Sequence, residues 1–412
     1  MNRLHRKSRL CHWQLAASAA ITSHTKFRRG SILIVTMCIT FLLAGMVLVF
    51  CRSMRVEAIA SANQVASVSA SAIERGAEQY ALAMIDQQKD QVYYNAESTY
   101  YGVQLGDGYF WFIRPNYGDE LLPSFGFVDE AGKVNINTAT LEMLLRLPGM
   151  TDDLAAAIMD WRDEDSDISN SGAENEFYLS QPQPYYCKNA PFEAVEEMLL
   201  VRGATVELFY GQNYMLQGVM NRDQLAQNTM MNTDPALARG LYDLLTVYSV
   251  EPQTNTTTTA TRGGAGQNNQ QQQQPKKGLI NINTAPRDVL FCLPGLEDSD
   301  VANILSARNS ASVTPGDISW VASAAQGKAA SIAQYITGSS YQYSADILAV
   351  SGNGRGFKHV RIVIDARTSP AKIIFRKDLT DQGWPIDQET LRSLRSGQGV
   401  PNSTKPLLGG SL

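Results

Sequence analysis

The sequence has few of the residues on which catalytic and metal centres usually depend. Its 412 residues include only four histidines and five cysteines. No His/Cys cluster has the spacing of metal ligands, and no glycine-rich loop has the spacing that binds phosphate. No nucleophile stands beside a candidate base in the sequence. We therefore predict that the protein is not an enzyme.

The cysteines do not form the pattern of a disulfide framework. Only Cys187 and Cys292 could meet in a folded exterior domain, since the other three lie in the basic leader or in an apolar run. Cys292 stands among apolar residues, which favours a buried free thiol. A disulfide between Cys187 and Cys292 is the alternative.

Positive charge is scarce outside the first 30 residues. Those residues carry seven basic side chains and no acid, so that 28 basic face 40 acidic side chains in the rest of the chain. A domain this acidic repels phosphate backbones, and we expect no nucleic-acid partner. The acidity suits cation binding, or it serves solubility alone.

One long apolar run follows the basic leader (1–30). Residues 31–51 carry no charge, and as a helix they span roughly 31 Å, the thickness of a hydrocarbon core. The basic cluster before the run favours an orientation with the N-terminus inside. Residues 56–85 lack proline and are rich in alanine, so the helix is expected to continue outside the membrane. We predict a transmembrane and stem helix over 31–90.

The rest of the chain alternates between strand and helix patterns. Aromatic and β-branched runs with glycine turns predict strands over 95–133 and again over 341–382. The block between them (134–340) predicts an inserted α-helical domain, with a Thr- and Gln-rich disordered linker at 252–278. Residues 383–412 are rich in Ser, Gly and Pro and are predicted to be a disordered tail. The fold class is therefore α+β, with a small antiparallel sheet packed on the stem helix.

An internal repeat is the clearest feature of the inserted domain. Residues 134–162 align without a gap onto residues 280–308, and both copies contain Asn-Ile-Asn-Thr-Ala, then Leu-Pro-Gly, then a closing arginine. The pattern predicts two helix-hairpin-helix motifs, with helix N-caps at Asn137/Thr138 and at Asn283/Thr284. Both hairpins carry carboxylates where a phosphate would bind, which favours a structural role over DNA contact.

An acidic loop follows the first copy. Seven carboxylates and one base lie between Asp160 and Glu176, and oxygen-bearing side chains from Asp163 to Glu174 follow the ligand spacing of an EF-hand. Ile168 occupies the position where that loop needs glycine, so an EF-hand itself is not predicted. Crowded carboxylates repel unless a cation neutralises them, and hard oxygen ligands select Ca²⁺. A solvated acidic loop is the alternative. The predicted Ca²⁺ ligands are Asp163, Asp165, Asp167, Glu174 and Glu176.

Several motifs together resemble the K-type minor pseudopilins of type II secretion systems. They are Arg-Arg-Gly-Ser at 28–31, Gly-Lys-Val-Asn-Ile-Asn at 132–137, Asp-Trp-Arg-Asp at 160–163, Gly-Ala-Glu at 172–174 and Asn-Ala-Pro-Phe at 189–192. Most pilins have glutamate at the fifth mature position, where this chain has Val35; K-type pseudopilins typically lack that acid.

This resemblance implies a specific biology. A prepilin peptidase would cut between Gly30 and Ser31, leaving the apolar helix as the N-terminus in the inner membrane and the remainder in the periplasm. The family implies a position at the tip of the pseudopilus, in a complex with the I- and J-type minor pseudopilins, where it starts assembly and supports protein export. It also implies calcium binding in the helical domain. The alternative is a membrane-anchored DNA-uptake protein that uses the two hairpin motifs.

Overall fold

The computed structural model describes residues 29–115, 124–169, 171–211, 240–252, 278–310 and 314–401. The chain divides into two compact units, one ending at Ala62 and the other beginning at Asn63. The basic leader up to residue 28, residues 253–277 of the predicted linker, and residues 402–412 of the predicted tail lie outside the described part.

The described helices and strands alternate along the chain. The helices are α1 (Arg29–Gln88), α2 (Leu141–Leu145), α3 (Asp152–Arg162), α4 (Asn175–Leu179), α5 (Val206–Tyr210), α6 (Arg287–Phe291), α7 (Asp298–Ser310), α8 (Val321–Ala324), α9 (Ala329–Ile332) and α10 (Gln388–Arg395). The strands are β1 (Val103–Leu105), β2 (Gly108–Arg114), β3 (Ser124–Phe125), β4 (Val128–Asp129), β5 (Val134–Asn135), β6 (Leu245–Thr246), β7 (Ile280–Asn281), β8 (Ile336–Thr337), β9 (Gln342–Val350), β10 (Phe357–Asp365) and β11 (Lys372–Asp378).

Helix α1 includes both the apolar run and the predicted stem. In the first unit its side chains from residue 32 to residue 61 are exposed, although most of those up to residue 50 are apolar. By length and composition, α1 is the one helix in the described part of the chain that could cross a membrane. The long N-terminal apolar helix predicted from the sequence is confirmed.

The second unit is built on an antiparallel sheet with the order β1-β2-β9-β10-β11, to which β3 and β4 add by pairing with β2 and β9. On α1, residues Ile73, Ala77, Ala81 and Ile85 recur every four positions and are buried against one face of this sheet. That spacing places them on one side of the helix, so the stem contributes a continuous apolar stripe to the core. The predicted α+β class, with its antiparallel sheet and long apolar helix, is confirmed.

The C-terminal segment covers part of the opposite face of the sheet. Trp384 lies 6.1 Å from Trp111 and 5.7 Å from Phe357, measured between ring centroids. Leu394 of α10 and Val400 are buried in the same cluster. The prediction that residues 383–412 form a disordered tail is therefore wrong for residues 383–401. This Ser- and Gly-rich segment contains an amphipathic helix whose two apolar residues, Leu391 and Leu394, are both buried.

The inserted domain covers the neighbouring part of that face through polar contacts. The Arg361 guanidinium binds the Asp346 carboxylate and lies 4.7 Å from the ring centroid of Tyr242. The Lys377 ammonium lies 2.8 Å from a carboxylate oxygen of Glu196. Two different segments thus share one face of the sheet, one by apolar packing and the other by charge.

The two copies of the sequence repeat have the same arrangement of helices and strands and pack around one shared core. Each begins with a two-residue strand, continues through a short helix and a longer one, and is closed by a parallel strand pair, β5 with β6 and β7 with β8. Leu144 and Leu290, at equivalent positions, are fully buried in that core. The helix-hairpin-helix interpretation itself stays a prediction.

The Asn-Ile-Asn-Thr-Ala segment does not cap a helix, which corrects the predicted N-caps at Asn137/Thr138 and Asn283/Thr284. Thr140 caps α2 instead, by accepting a 3.2 Å hydrogen bond from the Met143 amide, and α6 follows Pro286 without a side-chain cap. The first asparagine of each motif, at 135 and at 281, accepts the amide of the second at 3.0 Å. The motif is a side-chain-stabilised turn because asparagine competes well for nearby main-chain amides.

The closing arginine of each copy binds the same turn. Arg162 donates to the carbonyls of Ile136 and Ala139, the second at 2.6 Å. In the second copy, Arg308 donates to the carbonyls of Ile282 and Ala285, at 3.3 and 2.7 Å. The spacing is the same in both copies because each arginine must reach its own Asn-Ile-Asn-Thr-Ala turn. We call this hydrogen-bonded turn, with its closing arginine, the frame of each copy.

Removing the C-terminal cover is expected to destabilise the second unit. Leu394→Ala should reduce the free energy of unfolding by about 2–5 kcal/mol, because it opens a cavity in a buried cluster. Arg392→Ala, on the exposed side of the same helix, is the matched control and should change it little. Thermal unfolding of the detergent-solubilised chain measures both; equal effects of the two variants would contradict the packing described.

Candidate metal centre

The acidic loop between α3 and α4 folds around the side chain of Asp160. Thr151 caps α3 by accepting the Leu154 amide at 3.2 Å, and Asp160 lies in the last turn of that helix with its side chain buried. Its carboxylate accepts the Ser169 amide at 3.1 Å. A Cβ at Gly172 would lie only 2.0 Å from the Asp160 Oδ2 atom, so the loop can approach this close only with glycine at that position.

Two carboxylates in this loop have oxygens that lack a hydrogen-bond partner. Asp163 Oδ1 and both carboxylate oxygens of Glu174 are buried and accept no hydrogen bond. The Glu174 residue is 3% exposed. Burial raises the pKa of Glu174, and the charges of Asp160 and Asp163 raise it further. Burial also raises the pKa of Asp163, and the charges of Asp165 and Asp160 raise it further. Such groups are costly without a positive charge nearby.

The one base of this segment does not neutralise them. Arg162 directs its guanidinium to the main-chain carbonyls of the Asn-Ile-Asn-Thr-Ala turn, as described above, and to the Met159 sulfur at 2.9 Å. Its pKa is lowered by burial and raised by Asp163. Because the arginine holds the frame together, its donors are not available to the carboxylates.

A second segment supplies further oxygen and sulfur atoms beside the loop. The Asn189 side chain donates to the Asp165 carbonyl and to Ser166 Oγ, while its own Oδ1 is buried without a partner. The Cys187 amide donates to Asn175 Oδ1 at 2.9 Å, and the Cys187 thiol lies 3.8 Å from the Asp160 carbonyl oxygen. These bonds fix residues 187–189 against the acidic loop.

The predicted ligands separate into two groups. Asp163 and Glu174 lie together with buried oxygens, whereas Asp165, Asp167 and Glu176 are exposed. Asp165 accepts the Asp167 amide at 2.9 Å and so shapes the loop. Asp160 is one of the seven carboxylates of this segment but is not among the predicted ligands, because it lies before the first position of the EF-hand spacing. The Asp-Trp-Arg-Asp motif and the glycine at 172 were the signals that could have included it.

The donor set fits a hard cation only if it includes oxygens other than carboxylates. Within the described ranges, no group of three or more acid, histidine and cysteine side chains is arranged to hold a metal ion. Calcium, however, also accepts amide and main-chain oxygens and several waters. Two buried carboxylates with unpartnered oxygens and the Asn189 amide oxygen match that chemistry, so the residues fit the ion.

Both candidate disulfide cysteines are buried free thiols. Burial raises the pKa of Cys187 to about 11 and that of Cys292 to about 12. At neutral pH both are therefore protonated and unreactive.

The two hairpin turns present acid to solvent. Asp152 and Asp153 are exposed at the start of α3, and Asp298 at the start of α7 lies 3.0 Å from Arg287. No observation on the described residues favours contact with DNA.

The acidic loop and the first copy of the repeat lie within a recognised domain. Residues 127–210 match the family model "Type II secretion system (T2SS), protein K", first domain. This region is similar to the first protein K domain of type II secretion systems. The resemblance found in the sequence is thereby confirmed for the part of the chain that contains Asp160, Asp163 and Glu174.

A solved structure is also similar to this chain. It is a chain in the crystal structure of the GspK-GspI-GspJ complex from the enterotoxigenic Escherichia coli Type 2 Secretion System. The sequence identity is 14% and the TM-score is 0.47, with 79% of this chain and 99% of that chain covered. No curated protein matches the sequence.

Glu174 is expected to be destabilising without a divalent cation and stabilising with one. In the presence of a chelator, Glu174→Gln should raise the melting temperature at pH 7, because it removes a buried charge that faces Asp160 and Asp163. A raised pKa also means that the chelated wild-type protein should gain stability as pH falls through that pKa. With millimolar Ca²⁺ the wild-type protein should become the more stable of the two.

Glu176→Gln serves as the matched control, because Glu176 is an exposed acid two positions away. Its melting temperature should shift with Ca²⁺ as that of the wild type does. Thermal unfolding with and without Ca²⁺ measures all three proteins. If Ca²⁺ shifts wild type and Glu174→Gln equally, the site does not include Glu174.

Proposed function

We propose that this protein is a K-type minor pseudopilin of a type II secretion system, anchored in the inner membrane with its second unit in the periplasm. The observation that carries the proposal is the similarity of residues 127–210 to the first protein K domain. A structural role in assembly, and not catalysis, is expected of such a protein. The sequence has no nucleophile beside a candidate base.

The anchor is supported by the first unit of the structure. Side chains from Ile32 to Phe50 are exposed and mostly apolar, an arrangement that is costly in water and favourable in lipid. All main-chain groups of the run can be paired within the helix, as a lipid environment requires. The basic leader before the run favours a cytoplasmic N-terminus.

Processing is proposed at the start of the same helix. Gly30 and Ser31 lie in its first turn, and a prepilin peptidase cutting between them would release the basic leader. Ser31 would then be the mature N-terminus, and the apolar helix could enter a fibre beside the helices of other pseudopilins.

The similarity to protein K also leads us to propose partners of the I and J types. The complex would lie at the tip of the pseudopilus, where it would start assembly and support export. The stem within the second unit exposes Val65 and Val68, which are 66% and 60% accessible. Their spacing of three residues places them on one side of the helix, away from the buried Ala66 and Ala70. This side is available for helix-to-helix packing with another stem.

Calcium is proposed as the cation of the acidic loop. Asp163, Glu174 and the Asn189 amide oxygen would hold it, with Asp160 shaping the loop around it. When bound, the ion would supply the positive charge that Arg162 does not. The resulting stabilisation would fix the loop against residues 187–189. The affinity expected of such an extracytoplasmic site is low, in the range of about 10⁻⁴–10⁻³ M.

The partner proposal predicts recovery of the chain with the I- and J-type minor pseudopilins. Co-expressed in membranes and solubilised, the three proteins should co-purify through a tag on the I-type protein. Val68→Glu should reduce recovery at least several-fold by placing a charge at the stem contact. Ile374→Glu, at an exposed apolar position on β11, should not. Undiminished recovery of Val68→Glu would exclude the stem contact, and no recovery of the wild type would contradict the proposal.

The processing proposal predicts a mature chain that begins at Ser31. Intact-mass spectrometry of the protein from a host with its own prepilin peptidase should show loss of residues 1–30. Gly30→Leu should keep the leader. A wild-type chain that still starts at Met1 would argue against a pseudopilin.

The DNA-uptake alternative is tested separately by an electrophoretic mobility shift at low salt. We expect no shift, because the exposed hairpins carry acid. Tight binding that weakens steeply with salt would replace the present proposal with the alternative.

A further inference from the structure

The chain crosses between the sheet and the inserted domain at two adjacent points. It leaves the sheet after β4, which ends at Asp129, and it returns through Ser340 to β9. Strands β4 and β9 are neighbours, with Val128 opposite Ser344 and Asp129 opposite Tyr343. Any movement of the inserted domain relative to the sheet must therefore bend the chain at this hinge.

One buried carboxylate links both crossing points. The Asp129 Oδ2 atom accepts hydrogen bonds from Ser340 Oγ, from Asn281 Nδ2 at 3.0 Å and from Thr284 Oγ1 at 2.5 Å. Its Oδ1 atom accepts the Ala131 amide at 2.8 Å. Asp129 thus connects the outgoing strand, the returning strand and the turn of the second repeat copy.

The next residue makes the equivalent link to the first copy. The Glu130 carboxylate accepts from Thr246 Oγ1 and from Ser344 Oγ, and it forms an ion pair with Lys133 at 2.8 Å. Both acids are nearly fully buried. The first copy is therefore attached through a neutralised carboxylate and the second through a carboxylate bonded only to uncharged donors.

No cation is paired with the buried negative charge of the Asp129 carboxylate in the described part of the chain. Its neighbour Glu130 is already paired with Lys133. From the segment after α1, the Tyr93 phenol faces it, and the guanidinium groups of Arg114 and Arg308 face that phenol. Burial accordingly raises the pKa of Asp129 to about 6, against the four hydrogen bonds that lower it. For Glu130, burial raises the pKa, but the Lys133 charge and the hydrogen bonds from Lys133, Ser344 and Thr246 together lower it.

We propose that Asp129 is a proton-dependent clasp, which holds the second repeat copy and the returning strand to the sheet more firmly as the surroundings become mildly acidic. When ionised, the carboxylate accepts hydrogen bonds from the hydroxyls of Ser340 and Thr284. When protonated, it donates its own proton to one of these two hydroxyl oxygens. Thr284 can make this change, because its hydroxyl has a second acceptor in the Asn281 carbonyl at 3.4 Å.

The linkage between proton binding and hinge closure determines whether the closed hinge gains or loses stability as pH falls. A carboxyl whose folded-state pKa is about 6, against 3.8 unperturbed, binds a proton more readily in the closed hinge than when solvated. Its stabilising effect is complete below the lower value and is lost as pH rises through the higher one. Between pH 7.5 and pH 5 the open population of the hinge should fall about tenfold. Glu130, with its lowered pKa, acts in the opposite direction at lower pH.

Amide hydrogen exchange of the full chain in detergent tests the clasp. The protected amides of Ile282 and Ala285, which donate to the carbonyls of Thr337 and Asn281, report opening of the hinge. After correction for the intrinsic rate, their exchange should slow about tenfold from pH 7.5 to pH 5 in the wild type. It should be independent of pH in Asp129→Asn, and Glu130→Gln should keep the wild-type dependence.

Ser340→Ala provides a second measurement if Asp129→Asn does not fold. It removes one hydrogen bond to the ionised carboxylate, so the midpoint of the pH dependence should move to higher pH. A residue with only a structural role would change the level of exchange without moving the midpoint. The clasp is excluded if wild-type exchange at these amides, once corrected, does not depend on pH, or if Asp129→Asn retains the dependence.

Discussion

The hydrogen bonds from Arg162 to the carbonyls of Ile136 and Ala139 determine much of what surrounds them. They close the first repeat copy by joining the end of a long helix to the turn at its start. They also occupy the only cation in the segment that contains Asp160, Asp163 and Glu174. Because the arginine is used for the frame, it does not pair with the buried oxygens of Asp163 and Glu174, and the calcium proposal depends on those oxygens.

Much of the architecture could be predicted from the sequence because its signals are periodic. The four-residue stripe of α1, the strands on each side of the inserted domain and the repeat of 134–162 at 280–308 all depend on spacing alone. The tail could not be predicted in this way, since Trp384, Leu394 and Val400 are too far apart for a pattern. Their packing becomes visible only in the structure, where they join Trp111, a residue far away in the sequence, in one apolar cluster.

The candidate site was predictable in composition but not in detail. Counting acids located the loop, and Asp163 and Glu174 do lie together. The selection of Asp165, Asp167 and Glu176 followed EF-hand spacing, which assumes one local loop. In the structure the loop is instead closed by Asp160 from the preceding helix and by Asn189 from a distant segment. Such contributions depend on tertiary contacts, which no local spacing encodes.

The parallel strand pairs β5–β6 and β7–β8 have a consequence for how the domain can change. In each copy, the ends of the frame are fastened at Arg162 and Thr246, or at Arg308 and Thr337, and the chain between them is much longer in the first copy. Since lengthening a closed loop adds little entropic cost, new sequence can accumulate there while the ends stay in register. The acidic loop, the segment at 187–192 and α5 all lie in that interval. The extra length of the first copy therefore lies between Arg162 and Thr246, while its hydrogen-bonded ends keep the arrangement seen in the second copy.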